Sequence, residues 1–94
     1  DENDDEVYVS PLLTPNVIGP ESTWKIKNIE QYTTSNVKVY DRNGFLVFEK
    51  NNYQNDWTGN RLDTGKLLRV GSYYYLIEIR ETNKIKKGWL YITY

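Results

Sequence analysis

The sequence predicts an all-β fold, specifically an immunoglobulin-like antiparallel β-sandwich of about seven strands. Three observations predict it. Apolar and polar residues alternate with period two in segment after segment. Turn-forming pairs rich in Asn, Asp and Gly separate those segments, and helical periodicity is scarce. Aromatic residues make up 15% of the chain, so a small core is built largely from Tyr, Trp and Phe, which bury much area each.

The elements follow in order. Asp1, Glu2, Asp4, Asp5 and Glu6 make the start acidic, and residues 1–10 read as a solvated linker ahead of a folded unit over 11–94. Within that start, Val7-Tyr8-Val9 has the composition of a short edge strand. Ser10 to Asn16 is extended, because Pro11 and Pro15 each push the preceding residue out of the helical region. Trp24-Lys25-Ile26-Lys27 alternates, with Trp24 and Ile26 on one face. Asn36 to Asp41 alternates again, with Val37 and Val39 inward. Asp41-Arg42-Asn43-Gly44 predicts a tight hairpin in which both Asn and Gly take positive φ. Phe45 to Glu49 is the return strand, and its apolar run fits a strand between two packed layers.

Between Lys50 and Val70 the alternation breaks. Trp57 is an apolar anchor among turn residues, and Leu62 to Leu68 reads as a short strand or an irregular crossing. Gly71 to Arg80 is a long strand, with Tyr73, Tyr75, Ile77 and Ile79 on one face and Tyr74, Leu76, Glu78 and Arg80 on the other. A polar connection, Glu81 to Lys84, leads to a last strand over Lys87 to Tyr94, where Leu90 and Ile92 alternate against Trp89, Tyr91 and Thr93. A strand at the end of a chain is either locked into a sheet or presented to a partner. The chain begins with Asp rather than Met and is read as a piece of something longer.

Composition restricts function. There is no His and no Cys, so the commonest general base, the thiolate nucleophile and the usual zinc ligands are missing. No enzyme, no cofactor and no metal site is expected. Asp56 and Asp63 are isolated and match no calcium loop. Five of the thirteen acids lie in the first six residues, leaving eight acids against twelve Lys and Arg in the remainder. The cluster Lys84, Lys86 and Lys87 reads first as charge that blunts an edge strand. It is too small, on a slightly acidic chain, to point to nucleic acid. The Tyr73-Tyr74-Tyr75 run reads as a central strand rather than a stacking platform.

The order of the pieces resembles the gliding-motility-associated C-terminal domain, the type B sorting domain of the type IX secretion system. The resemblance rests on Thr14-Pro15-Asn16, Trp24-Lys25-Ile26, Ile29-Glu30-Gln31-Tyr32 and the strand and turn from Val37 to Gly44. It continues through Leu46-Val47-Phe48-Glu49, Trp57-Thr58-Gly59, Gly71 to Tyr75 and Lys87-Gly88-Trp89. Each is a weak signal alone; their order is specific. The chain departs from the family in an acidic Gly-Asp-Gly-x-Asn-Asp stretch, replaced here by Val17 to Thr23, of which only Glu21 is acidic.

The resemblance implies a sorting and anchoring domain of a large exported protein of Bacteroidota, typically a cell-surface adhesin. It implies export across the outer membrane and partners in the type IX translocon and a PorP/SprF-type outer-membrane protein. The residues expected to be read by the partner are Lys86, Lys87, Gly88, Trp89, Tyr91, Thr93 and Tyr94. The alternative is a carbohydrate- or matrix-binding module that stacks ligand on Tyr53 and Trp57.

Overall fold

Period-two alternation becomes sheet pairing wherever one face can be buried. The computed structural model describes residues 7–15, 22–61, 64–81 and 83–94. Its strands are β1 (Tyr8–Val9), β2 (Leu12–Leu13), β3 (Ile26–Lys27), β4 (Ser35–Tyr40), β5 (Leu46–Asn51), β6 (Gly71–Ile79) and β7 (Lys84–Ile92), with a 3-10 turn at Ile29–Gln31. They form a five-stranded sheet in the order β2-β7-β6-β4-β5 and a two-stranded sheet of β1 and β3.

The all-β class and the strand number match expectation, but the antiparallel sandwich needs correcting. The large sheet is mixed, because β2 pairs with β7 in parallel, Leu12 opposite Tyr91 and Leu13 opposite Ile92. These strands lie far apart in sequence, so no short turn forces them to run antiparallel. Nor do the two sheets close into a sandwich or barrel: β1 and β3 have two residues each, too few to match the larger sheet.

The first described residues contribute to packing. Val7 is buried and β1 pairs with β3, so the core reaches upstream of residue 11. Residues 1–6 of the expected linker lie outside the described residues, as do residues 17–21 of the replaced acidic stretch.

The β4–β5 connection is tight, but its geometry differs from the expected one. The amide of Gly44 donates to the Asp41 carbonyl, and that of Asp41 to the Phe45 carbonyl. Gly44 has φ +86°, whereas Asn43 does not enter the positive-φ region. The Asp41 carboxylate explains this: Oδ1 accepts the amides of Asn43 at 2.9 Å and Phe45 at 3.0 Å, holding the loop so that only its last residue turns left-handed. β6 and β7 form a long hairpin in register from Gly71↔Ile92 to Ile79↔Lys84, so β7 begins three residues earlier than the alternation suggested.

Val37, Val39, Tyr73, Tyr75, Ile77, Ile79, Leu90 and Ile92 cover the inner face of the large sheet. Trp24 closes the core from the other side. Its ring lies 5.7 Å from Tyr75 and 5.8 Å from both Tyr53 and Trp57. Trp57 stacks on Phe48 at 4.4 Å. The Tyr53 hydroxyl ties the cluster together by donating to the Trp24 carbonyl at 2.7 Å and accepting the Trp57 amide at 3.0 Å. Burial pushes that hydroxyl far above the ordinary phenol range, so it stays protonated.

Candidate functional site: the outer face and edge of the last hairpin

The parity of β7 decides what it shows. Leu90 and Ile92 are buried, so Ile85, Lys87, Trp89 and Tyr91 point to the opposite face. The same parity orients the backbone. The amides of Tyr91 and Thr93 donate to the Pro11 and Leu13 carbonyls, toward β2. Odd-numbered residues of β7 therefore turn their N–H and C=O away from β6. β2 covers only Tyr91 and Ile92, and no other described strand pairs on that side. The backbone groups of Ile85, Lys87 and Trp89 thus form an open sheet edge among the described residues.

The outer face beside this edge carries an aromatic row. Leu46 lies opposite Tyr40, Tyr40 opposite Tyr74, and Tyr74 opposite Trp89, so the row crosses four strands. Trp89 meets Tyr74 edge-on at 5.3 Å. Trp89 is 63% exposed and Tyr91 45% exposed, and no described element lies over them. The next row holds Lys38, Leu76 and Lys87, with Lys38 loosely paired to Glu78 at 3.9 Å. This arrangement offers backbone pairing, aromatic area and positive charge. Among the described residues, no group of three His, Cys, Asp or Glu side chains comes together to hold a metal.

The structure brings Lys87, Trp89 and Tyr91 together on the outer face and separates them from the other expected contacts. Lys86 faces inward: its Nζ donates to the Val7 carbonyl at 3.0 Å and lies 5.8 Å from the Tyr8 ring centroid, joining the two sheets. Gly88 also faces inward, beneath the ring of Tyr75. A Cβ at Gly88 would stand 2.7 Å from the Tyr75 hydroxyl oxygen. The Thr93 amide is spent on Leu13, and the Tyr94 hydroxyl donates to the Leu68 carbonyl. Tyr53 and Trp57, the alternative stacking pair, are 0% and 6% exposed. Their rings pack within the aromatic cluster and offer no free face to a sugar.

Sequence reasoning missed that Tyr40 and Leu46 lie in the cross-strand row of Trp89 and that Ile85 shares its face. The alternation in β4 and β6 carried part of the signal, because Tyr40 and Tyr74 have the opposite parity to the buried residues. The cross-strand register that aligns them was not visible in one dimension.

Comparison with known proteins agrees with this architecture. The family described as CHU_C Type IX secretion signal domain matches residues 7–92. Among solved structures, the chain is similar to PorZ, an essential bacterial surface component of the type-IX secretion system of human oral-microbiomic Porphyromonas gingivalis. The TM-score is 0.66 at 21% identity, over 96% of this chain and 12% of PorZ, so the likeness is one of fold to a small part of a much longer protein. No curated protein matches.

Proposed function

The chain belongs to the CHU_C type IX secretion signal domain family, and from that membership we propose that the export machinery reads it on the outer side of β7. The domain is a non-catalytic sorting module linked to type IX export across the outer membrane to the cell surface. Its cargo is the upstream part of the same protein, a surface adhesin in this reading. The reader is the translocon together with a PorP/SprF-type outer-membrane protein.

The observation that carries the reading is the coincidence of an open backbone edge at Ile85, Lys87 and Trp89 with the exposed rings of Trp89 and Tyr91. An extended segment of a partner can add to such an edge by main-chain hydrogen bonds, while side chains flanking it set specificity. A desolvated Trp is the commonest kind of interface hot spot, worth about 2 kcal/mol or more. Lys87 then orients the approach by charge.

The test is export of a reporter fused to this domain. Trp89→Ala with Tyr91→Ala should leave the melting temperature of the isolated domain nearly unchanged and stop the reporter from reaching the surface. Normal surface display of the double variant would overturn the assignment of the surface. Lys86→Ala is the contrasting variant: it should lower stability first, because Lys86 joins the two sheets.

A further inference from the structure

The geometry points to a second binding site beside the sorting surface: a basic cleft at the end of the sheet where Ser72 pairs with Tyr91, which takes a multiply charged oxyanion of the phosphoryl class. The cleft, of about 760 Å³, lies between the β4–β5 turn and the segment leading into β6. Arg42, Arg61, Lys66 and Arg69 line it, and Asp41 is its one described carboxylate. Its size falls in the range of small-ligand sites, roughly 300–1,000 Å³.

Among the described residues, three of these cations are not matched by a carboxylate. Asp41 is engaged in the turn, where Oδ1 accepts two amides. Among the described residues, no carboxylate forms an ion pair with Arg42, Lys66 or Arg69, and all three are exposed. A chain with slightly acidic composition therefore carries a local concentration of positive charge.

The backbone that carries the cations is also fixed. The Arg61 amide donates to the Lys66 carbonyl, and the Gly65 amide to that of Arg61, closing a turn beside the cleft. The Leu68 amide donates to the Gly59 carbonyl, and the Tyr94 hydroxyl donates to Leu68. The Tyr73 hydroxyl donates to the Arg69 carbonyl at 2.8 Å. The Arg42 guanidinium lies over the start of β6, 3.6 Å from where a Cβ on Gly71 would stand. The guanidiniums of Arg42 and Arg69 and the ammonium of Lys66 suit a ligand with several anionic oxygens, because each planar guanidinium can grip two of them at once.

Inorganic tripolyphosphate is the probe, titrated against the domain while amide chemical shifts are followed. Saturable shifts are expected at Arg42, Asn43 and residues 66–71. Binding should weaken with added salt and fall about tenfold or more in Arg42→Gln with Arg69→Gln, since both substitutions lose charge-assisted hydrogen bonds. Lys50→Gln, which removes an exposed cation at the other end of β5, should bind as the parent does. A parallel arm uses phosphatidylcholine vesicles with and without phosphatidylglycerol. Cleft-dependent binding to the anionic vesicles supports the site and assigns a lipid headgroup; binding to tripolyphosphate alone supports it and assigns a soluble ligand. No saturable shift, or shifts unaltered by the double variant, would overturn the site. Lys66→Gln alone tests the same point should the double variant lose its fold.

Discussion

Gly88→Ala is the substitution whose outcome the packing dictates most directly. Gly88 faces Tyr75 across the β6–β7 pair, and the Tyr75 ring lies flat against it. A methyl group at Gly88 would meet the Tyr75 Oη at 2.7 Å, its Cζ at 3.0 Å and its Cε2 at 3.2 Å. The ring must move by several tenths of an ångström, and on its other side it meets the buried Trp24. Overpacking of this kind costs about 1–3 kcal/mol. Removing a strand glycine returns roughly 0.5–1 kcal/mol of unfolded-state entropy. The net loss is about 1–2 kcal/mol, a fall in Tm of several degrees, since each kcal/mol shifts a domain of this size by ~4–8 °C. The assay is urea unfolding of four proteins: parent, Gly88→Ala, Tyr75→Leu and the double variant. Tyr75→Leu is itself destabilising, but it removes the atoms that collide. The cost of Gly88→Ala should therefore shrink by about 1 kcal/mol or more in its background. A Gly88→Ala protein as stable as the parent, or the same cost with and without the Tyr75 ring, would refute the reasoning.

Tyr53→Phe should lower stability by about 2 kcal/mol in urea, because it leaves the Trp24 carbonyl and Trp57 amide without their buried partner. Alkaline pH should destabilise the domain. Burial raises the hydroxyls of Tyr53, Tyr73, Tyr75 and Tyr94 above their ordinary value, so the folded state holds protons that the unfolded state releases. That stability is complete below about pH 10 and is lost as pH rises through the folded-state values; phenolate absorbance should track unfolding, and Tyr53→Phe should flatten the slope. Ser35→Ala should be neutral or slightly stabilising by thermal melting, because the Ser35 hydroxyl oxygen is buried and no partner among the described residues satisfies it.

The fold was legible where one face of a long strand is buried. Val37 with Val39, and Tyr73 with Tyr75, Ile77 and Ile79, declare their side by alternation, because a one-residue slip would expose the whole set. Trp57 was legible only as an apolar anchor, without its partners, and Tyr53 was not legible. They sit in irregular backbone without period, and what buries them is Trp24, some thirty residues away. β2 was equally hidden, since two leucines carry no pattern and their partner strand is at the opposite end of the chain. At the candidate site, alternation separated Trp89 and Tyr91 from Leu90 and Ile92 correctly. Lys86 fell ahead of the expected strand, and charge alone made that residue look like a surface contact. Only the three-dimensional path of Val7 and Tyr8 shows that its ammonium has an internal use.

The parallel pairing of β2 with β7 has a mechanical consequence. A pull toward the chain's start on β2 and toward its end on β7 acts in opposite directions along neighbouring parallel strands. The bonds from the Tyr91 amide to Pro11 and from the Thr93 amide to Leu13 then bear load together in shear. An antiparallel hairpin pulled at its two open ends would instead unzip one bond at a time. Tension drawn through this domain is therefore borne in shear by a short lateral clasp at its rim, behind the β1–β3 pairing and the Lys86–Val7 bond that the pull meets first.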